Sequence, residues 1–461
     1  MSGEIFEKSV TVPVDVGSLW DWHTRPGAFE RLAPPWAKLV PLKLPDGLHA
    51  GAEAVFRIGA GPVSRLWRAR IDPVEAPHRF VDTQVAGPFA HWRHEHVMTA
   101  AGPGKSTLAD RVEYELPRGP GAFPLARTLA RRELERLFRF RHARMLSDLQ
   151  RHGGGRPGSG RTVLVSGSTG LIGGRLVPYL KTLGYRVRGL TRGEARADLF
   201  NWDPARGMLD PEALEGVEAV IHLAGENIAS GRWTRARKAR ILRSRIDGTA
   251  TIVRAMAKME RKPSVLVCAS GVNFYPGGAR GSDENGPSGD GFLAGVCRAW
   301  EAQALRARES GVRTVCLRTG VVLDPGGGAL GRMLPVFRMG LGGRIGSGRQ
   351  AFPWIGMDDL LDIYEWSIRE ESIEGAVNAV HPERVTQGTF IRCLGGILRR
   401  PVALPVPAGL VRLLFGSMGK ETLLADLDVV PAALREHGYS FRHDSLEQEL
   451  RFCLGRAPSP F

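Results

Sequence analysis

Three glycines, Gly167, Gly170 and Gly173, recur at every third position directly after the apolar run Thr162–Ser166. The spacing predicts a buried strand, a glycine turn and a helix from about Leu171. In such a turn the first glycine permits a tight bend, the second lets backbone approach a pyrophosphate, and the third allows close helix–strand packing. The helix start adds unpaired N–H groups and the positive end of its dipole. Gly167–Gly173, with Ser168, Thr169, Leu171 and Ile172 between the glycines, is therefore the candidate phosphate cradle. The next strand, Arg186–Leu190, ends in Thr191-Arg192. A carboxylate there would bind ribose hydroxyls, whereas an arginine suits a 2′-phosphate, so Arg192 favours NADP(H) over NAD(H). A third strand, Ala219–Leu223, runs into Ala224-Gly225, residues small enough for a cofactor to lie across the strand ends.

Other residues could carry chemistry. Ser270 ends the predicted strand Val265–Ala269, where ligands gather in open α/β sheets, and Tyr275 follows as a candidate proton donor. The alternative is that Ser270 only orients the nicotinamide and Tyr275 only packs. Cys297 would react only as a thiolate, and a buried inert thiol is the expectation. In the glycine-rich stretch Gly340–Asp359, Arg344 and Arg349 suit an anionic substrate group, with Gln350 and Trp354 beside them. Asp358 is expected to cap the helix Asp359–Ile368. His94 and His96 share a strand face near His91. No third or fourth ligand is signalled nearby, so these read as strand-surface histidines and no metal is assigned.

The elements that must position these groups fall on two sides of a boundary. Residues 152–161, HGGGRPGSGR, contain no apolar residue and read as a flexible linker. Before it, residues 1–151 show an alternating strand, Phe6–Val12, and two short helices, the first capped by Asp15. Strand-like stretches follow at Ala54–Ile58, Ser64–Ile71, Arg79–Gln84, Ala90–Met98 and Ser106–Tyr114, then a long helix over about 122–150. That order is an α+β layout. After the linker, strands and helices alternate through about residue 325, as in a doubly wound parallel sheet, with a domain over 162–390 and a C-terminal segment over 391–455.

Composition is that of an ordinary folded protein: 461 residues, 43% hydrophobic and 24% charged, which excludes bulk disorder. The charged N-terminus shows no secretory segment and no apolar stretch is long enough for a bilayer. Five cysteines without a CxxC pair suit reduced thiols and a cytoplasmic location. Net charge is +15. The arginines of Arg127–Arg144 alternate with Leu and Phe as on an amphipathic helix, and no nucleic-acid partner is expected.

The N-terminal order, with LWDWHTRPGAFERLAPPW and HWRHEHVM, resembles the START-like helix-grip (SRPBCC) family, whose sheet wraps a long helix to enclose an apolar cavity for a lipophilic ligand. The rest resembles the atypical extended short-chain dehydrogenases (SDR) labelled as epimerase family. GSTGLIG, HLAGENIASGRWTRARKARILRSRIDGT, LRTGVVL and GLGGRIGSGRQAFPWIGMDDL carry this likeness over 162–452. The tail is similar to that family's C-terminal DUF1731 segment. The resemblance implies an extended-SDR Rossmann fold and NADP(H) held by Gly167, Thr169, Gly170, Ile172, Gly173, Arg192, Leu223, Ala224 and Gly225, with Arg245 near the cofactor. It implies an oxidoreductase or epimerase acting on a hydroxyl or carbonyl of a small or lipophilic substrate. Such enzymes use Tyr-x-x-x-Lys, and here Leu293 and Cys297 stand at those positions. A non-catalytic NADP(H)-binding sensor or scaffold is the second reading.

Overall fold

A computed structural model describes residues 3–45, 47–59, 64–117 and 124–457. The chain forms two compact units, one of Met1–Ser159, Pro178–Tyr185 and Arg451–Phe461, the other of Gly160–Val177 and Arg186–Leu450.

In the N-terminal unit, β1 (Glu4–Val12) leads into α1 (Val16–Thr24) and α2 (Ala28–Leu32). Six strands follow: β2 (Val40–Lys43), β3 (Glu53–Ile58), β4 (Arg65–Glu75), β5 (Arg79–Ala86), β6 (His91–Ala100) and β7 (Ser106–Glu115). They form one antiparallel sheet in the order β1-β7-β6-β5-β4-β3-β2. The Asp15 side chain caps α1, accepting from the Ser18 amide at 2.9 Å. Strand β2 was not legible in the sequence because all four residues are exposed and VPLK does not alternate. The long helix α3 (Pro124–His152) lays Leu134, Phe138, Met145 and Leu149 into the core, at the helical spacing of an apolar stripe. Residues 122 and 123 of the expected helix lie outside the described residues. The HGGGRPGSGR stretch continues α3 into turns, Gly155 N donating to His152 O at 2.8 Å and Ser159 N to Arg156 O at 3.0 Å.

The expectation for the histidines of β6 fails. His91 is exposed, but His94 and His96 are buried to 2%. Their shared face is the sheet's inner face, flanked there by Trp92 and Met98, because polar partners on neighbouring strands make burial tolerable.

From Thr162 onward the chain forms β8 (Thr162–Ser166), α4 (Gly173–Thr182), β9 (Arg186–Thr191), β10 (Leu199–Asp203), β11 (Met208–Leu209), β12 (Ala219–His222), α5 (Arg235–Ala257), β13 (Val265–Gly271), α6 (Phe292–Leu305) and β14 (Arg313–Thr319). Then come β15 (Val321–Leu323), α7 (Gly328–Arg338), β16 (Trp354–Gly356), α8 (Met357–Arg369), β17 (Gly375–Ala379), α9 (Gln387–Leu398), α10 (Ala408–Glu421), α11 (Ala432–Glu436) and α12 (Leu446–Cys453). Eight strands pair in the order β11-β10-β9-β8-β12-β13-β14-β17, parallel except for the β10–β11 hairpin. The expected division at 390/391 cuts through α9, and residues 391–450 belong to the same compact unit as the sheet. Among the described residues, no helix is long and apolar enough to cross a membrane, and all five cysteines are free.

Candidate functional site

The chain leaves β8 in one direction to build β9 and β10, and returns to β8's other side to build β12, β13, β14 and β17. The reversal opens a crevice beyond the carboxyl ends of β8 and β12, the position at which doubly wound sheets bind ligands. Both strands stop there on a buried polar residue. Ser166 Oγ pairs with His222 Nδ1 at 2.6 Å and accepts from the amides of Leu223 (3.2 Å) and Ala224 (3.3 Å). Burial, with the charge of Arg245 nearby, pushes the His222 pKa down to about 3, so the ring is neutral. Ser166 and His222 were not singled out from sequence, although a polar residue closing each apolar strand was the available signal.

Gly167 follows with φ at +71°, and a Cβ there would lie 2.9 Å from the Ala224 amide nitrogen. Only glycine allows that bend and that approach. A Cβ on Gly173 would run into the Gly167 carbonyl, so the helix start packs directly beneath the turn. Between them Thr169 and Gly170 are exposed to the crevice. Ser168 Oγ is buried without a hydrogen-bond partner, a polar group left over beside the cradle. Thr191 Oγ1 accepts from the Gly193 amide at 3.0 Å, shaping the turn that carries Arg192. The Arg192 guanidinium is exposed and has no protein partner among the described residues. Arg245 reaches back over Gly225, donating to Glu226 O and Ile241 O at 3.1 Å each, with its guanidinium 4.8 Å from the centre of the Trp300 ring. It clamps the loop after β12. The glycine cradle and the orphan hydroxyl are fittings that a dinucleotide could use.

At the ends of β13, β14 and β17 a second arrangement appears. Ser270 Oγ donates to Glu301 Oε1 at 2.6 Å. Arg318 grips the same carboxylate through two bonds, 2.9 and 2.8 Å, and donates to Tyr275 OH at 2.8 Å. The Tyr275 hydroxyl donates in turn to Asn378 Oδ1 at 2.7 Å. All five side chains are buried, and Phe274 lies face-on to Arg318 at 3.5 Å. Burial pushes the Tyr275 pKa up to about 12, against the opposing pull of Arg318. For Arg318, the bonds and charge of Glu301 outweigh burial and hold the guanidinium above its usual range. The hydroxyl of Tyr275, the candidate proton donor, is thus used in both directions inside this network. Leu293 and Cys297 occupy α6 as buried residues, with Cys297 pushed up to about 11 chiefly by burial and then by Glu301. Glu301, Arg318 and Asn378 were missed, because partners this far apart in the chain leave no local spacing signal.

The glycine-rich loop divides its candidates. Arg344 and Arg349 are exposed. Gln350 is buried and spends its amide on Ile345 O (3.0 Å) and Leu423 O (3.4 Å). Trp354 is buried to 1% and stacked on His381 at 4.1 Å, so both support the loop from within. Asp358 is not the cap of α8: Gly356 takes that position, and Asp358 and Asp359 lie inside the first turn, buried. Asp359 Oδ1 accepts from the Arg442 amide at 2.9 Å, tying in the C-terminal segment. That segment also holds the loop through Asp426, which accepts from the Ala351 amide at 2.8 Å and from Arg280 at 2.9 and 2.8 Å.

A parallel sheet with its glycine turn at the strand-order reversal defines a Rossmann-like fold of the extended SDR type. The model of the NAD dependent epimerase/dehydratase family matches residues 163–379, and that of a domain of unknown function, DUF1731, matches 406–453. An epimerase family protein of Mycobacterium bovis is 38% identical over 296 residues, covering 64% of this chain and 98% of that protein. Human epimerase family protein SDR39U1 is 36% identical over 63% of this chain and 98% of its own length. A solved structure of its isoform 2, with NADPH, aligns at TM-score 0.59 and 34% identity over 64% of this chain and 99% of that one. The structure of a nucleoside-diphosphate sugar epimerase from Corynebacterium glutamicum aligns at TM-score 0.81 and 29% identity, covering 99% of this chain and 91% of that one. The chain belongs to the epimerase family.

Proposed function

We propose that the second unit binds NADP(H) across the ends of β8 and β12 and serves as an oxidoreductase or epimerase acting on a hydroxyl or carbonyl group. The observation that carries this reading is the crevice itself: a glycine cradle in which Gly167 and Gly173 admit no side chain, with an unpartnered Arg192 at the next strand's end. Arg192 would receive the 2′-phosphate, the first turn of α4 the pyrophosphate, and Leu223–Gly225 the floor beneath the cofactor. Bound there, the cofactor supplies hydride exchange. Ser270, at the end of β13, is the hydroxyl nearest in role to a substrate-orienting group, and Arg344 and Arg349 are the exposed cations available to an anionic substrate. The structure of the human relative with NADPH supports the choice of cofactor. In the N-terminal unit, the antiparallel sheet packed against one long helix supports a START-like domain that takes a lipophilic ligand. A second reading, a cofactor-binding sensor without turnover, is favoured by one observation: the Tyr275 hydroxyl is locked into the Arg318 network and no Tyr–Lys pair replaces it.

Calorimetric titration with NADPH, NADP and NADH tests the site. The expected result is tighter binding of NADPH than NADH. Arg192→Ala should weaken NADPH by about 10- to 100-fold, the worth of one charge-assisted contact, and leave NADH unchanged. Gly170→Asp, which places a carboxylate on the phosphate face, should abolish both. Absence of any dinucleotide binding overturns the proposal. NADPH oxidation against a panel of carbonyl compounds then separates enzyme from sensor.

A further inference from the structure

A belt of polar side chains crosses the core of the N-terminal unit between two apolar clusters. Inward positions of β6 run Trp92, His94, His96, Met98; those of β7 run Leu108, Asp110, Val112; and α3 places His142 between Phe138 and Met145. Trp92, Val112 and Phe138 belong to one cluster, and Met98, Leu108 and Met145 to the other. Strand register sets Asp82 of β5 opposite His94 and Asp110 of β7 opposite His96.

Ionisable groups buried this deeply are tolerated when they are paired or ligate a metal. Pairing within the belt is incomplete. Asp110 takes His94 Nε2 at 2.9 Å on one oxygen and His142 Nε2 at 2.6 Å on the other. His96 Nδ1 lies 2.8 Å from Asp110 without a hydrogen bond to it, and His142 Nδ1 is buried without a hydrogen bond. On the opposite side, Asp82 Oδ2 stands 3.0 Å from His94 Nδ1 and 3.6 Å from His96 Nε2, the second beyond hydrogen-bond reach.

We propose that Asp82, His94 and His96 bind a divalent transition-metal ion of the zinc class, with Asp110 as the outer partner of both histidines. One ligand atom from each residue falls within 4.8 Å of the other two. The 3.0 and 3.6 Å separations bracket the edges of roughly 3.0–3.5 Å expected between ligands bonded at about 2.1 Å. Each histidine turns its other ring nitrogen toward the Asp110 carboxylate, the second-layer contact that orients ligating imidazoles. Two carboxylates and neutral imidazoles balance a divalent charge. The Asp82 side chain is 24% exposed, so the site has an entry side and a position for water or a ligand oxygen. The third ligand was hidden from the sequence because it arrives from the neighbouring strand.

Full-length protein, stripped with chelator and dialysed, is titrated with Co²⁺ and then Zn²⁺. One Co²⁺ per chain is expected, with visible d–d bands, displaced by Zn²⁺, and a zinc absorption-edge spectrum fitted by nitrogen and oxygen alone. His96→Ala and Asp82→Ala should each weaken binding by at least about 100-fold, and Asp110→Asn by about 10- to 100-fold. His91→Ala, on the exposed end of the strand, should leave it unchanged. No stoichiometric binding by the folded wild-type chain overturns the proposal. So does a thiolate-to-cobalt charge-transfer band, which would put the ion on cysteine, or binding that survives His96→Ala. The wild-type spectra decide the matter even where a variant fails to fold.

Discussion

The Ser270–Glu301–Arg318–Tyr275–Asn378 network and the Asp82–His94–His96–Asp110–His142 belt each gather five polar side chains into a core, and they close differently. In the first, the Glu301 carboxylate is met by a two-bond arginine grip and a serine, and the tyrosine hydroxyl both gives and receives. In the second, two imidazole nitrogens make no hydrogen bond, one of them 2.8 Å from the Asp110 carboxylate, and Asp82 Oδ2 stands 3.6 Å from His96 Nε2. A guanidinium offers five donors in a fixed fork and satisfies several acceptors at once, whereas an imidazole offers two opposed atoms and depends on what stands on both sides. Satisfaction marks the first as a brace that holds three strand ends in place. Incompleteness marks the second as a site with a place for something else.

The largest test of this contrast is Arg318→Met. It leaves Glu301 buried without its arginine and should cost about 3–5 kcal/mol in urea denaturation, much of it regained when Glu301→Gln is added. A loss below about 1 kcal/mol would mean the network is not closed in solution. Next comes zinc: free Zn²⁺ at 100 times its dissociation constant should stabilise the stripped wild-type chain by about 2.7 kcal/mol and His96→Ala by nothing. An equal rise in both would erase the difference between belt and brace. Smallest is Tyr275→Phe, which removes one hydroxyl and should cost about 1 kcal/mol while NADPH affinity stays constant. Turnover lost with stability intact would instead make Tyr275 a proton donor.

Much of the cofactor side was legible from local pattern. Thr162–Ser166 has the strand's bounds, the glycine spacing marks the turn, and Arg192 stands at the end of β9 with its charge unspent. The buried polar groups were not. Nothing in the spacing of Ser270, Glu301 and Arg318 announces a network, and His94 with His96 reads equally well as a surface pair. The period of a strand says which residues share a face but not which face is covered. Asp358 misled for a related reason: an acidic residue at a helix start suits a cap, but here the backbone places Gly356 at the cap and turns the aspartates inward.

By itself the sequence determined the strand, glycine turn and helix of β8 and α4 and the arginine that follows β9, because each depends on residues within one turn or strand of each other. The tertiary structure alone decided that Tyr275 meets Arg318 and Asn378, that Trp354 stacks on His381, and that two histidines of β6 meet Asp82 and Asp110. Those outcomes rest on strand register and helix packing, which bring together side chains that the chain keeps far apart.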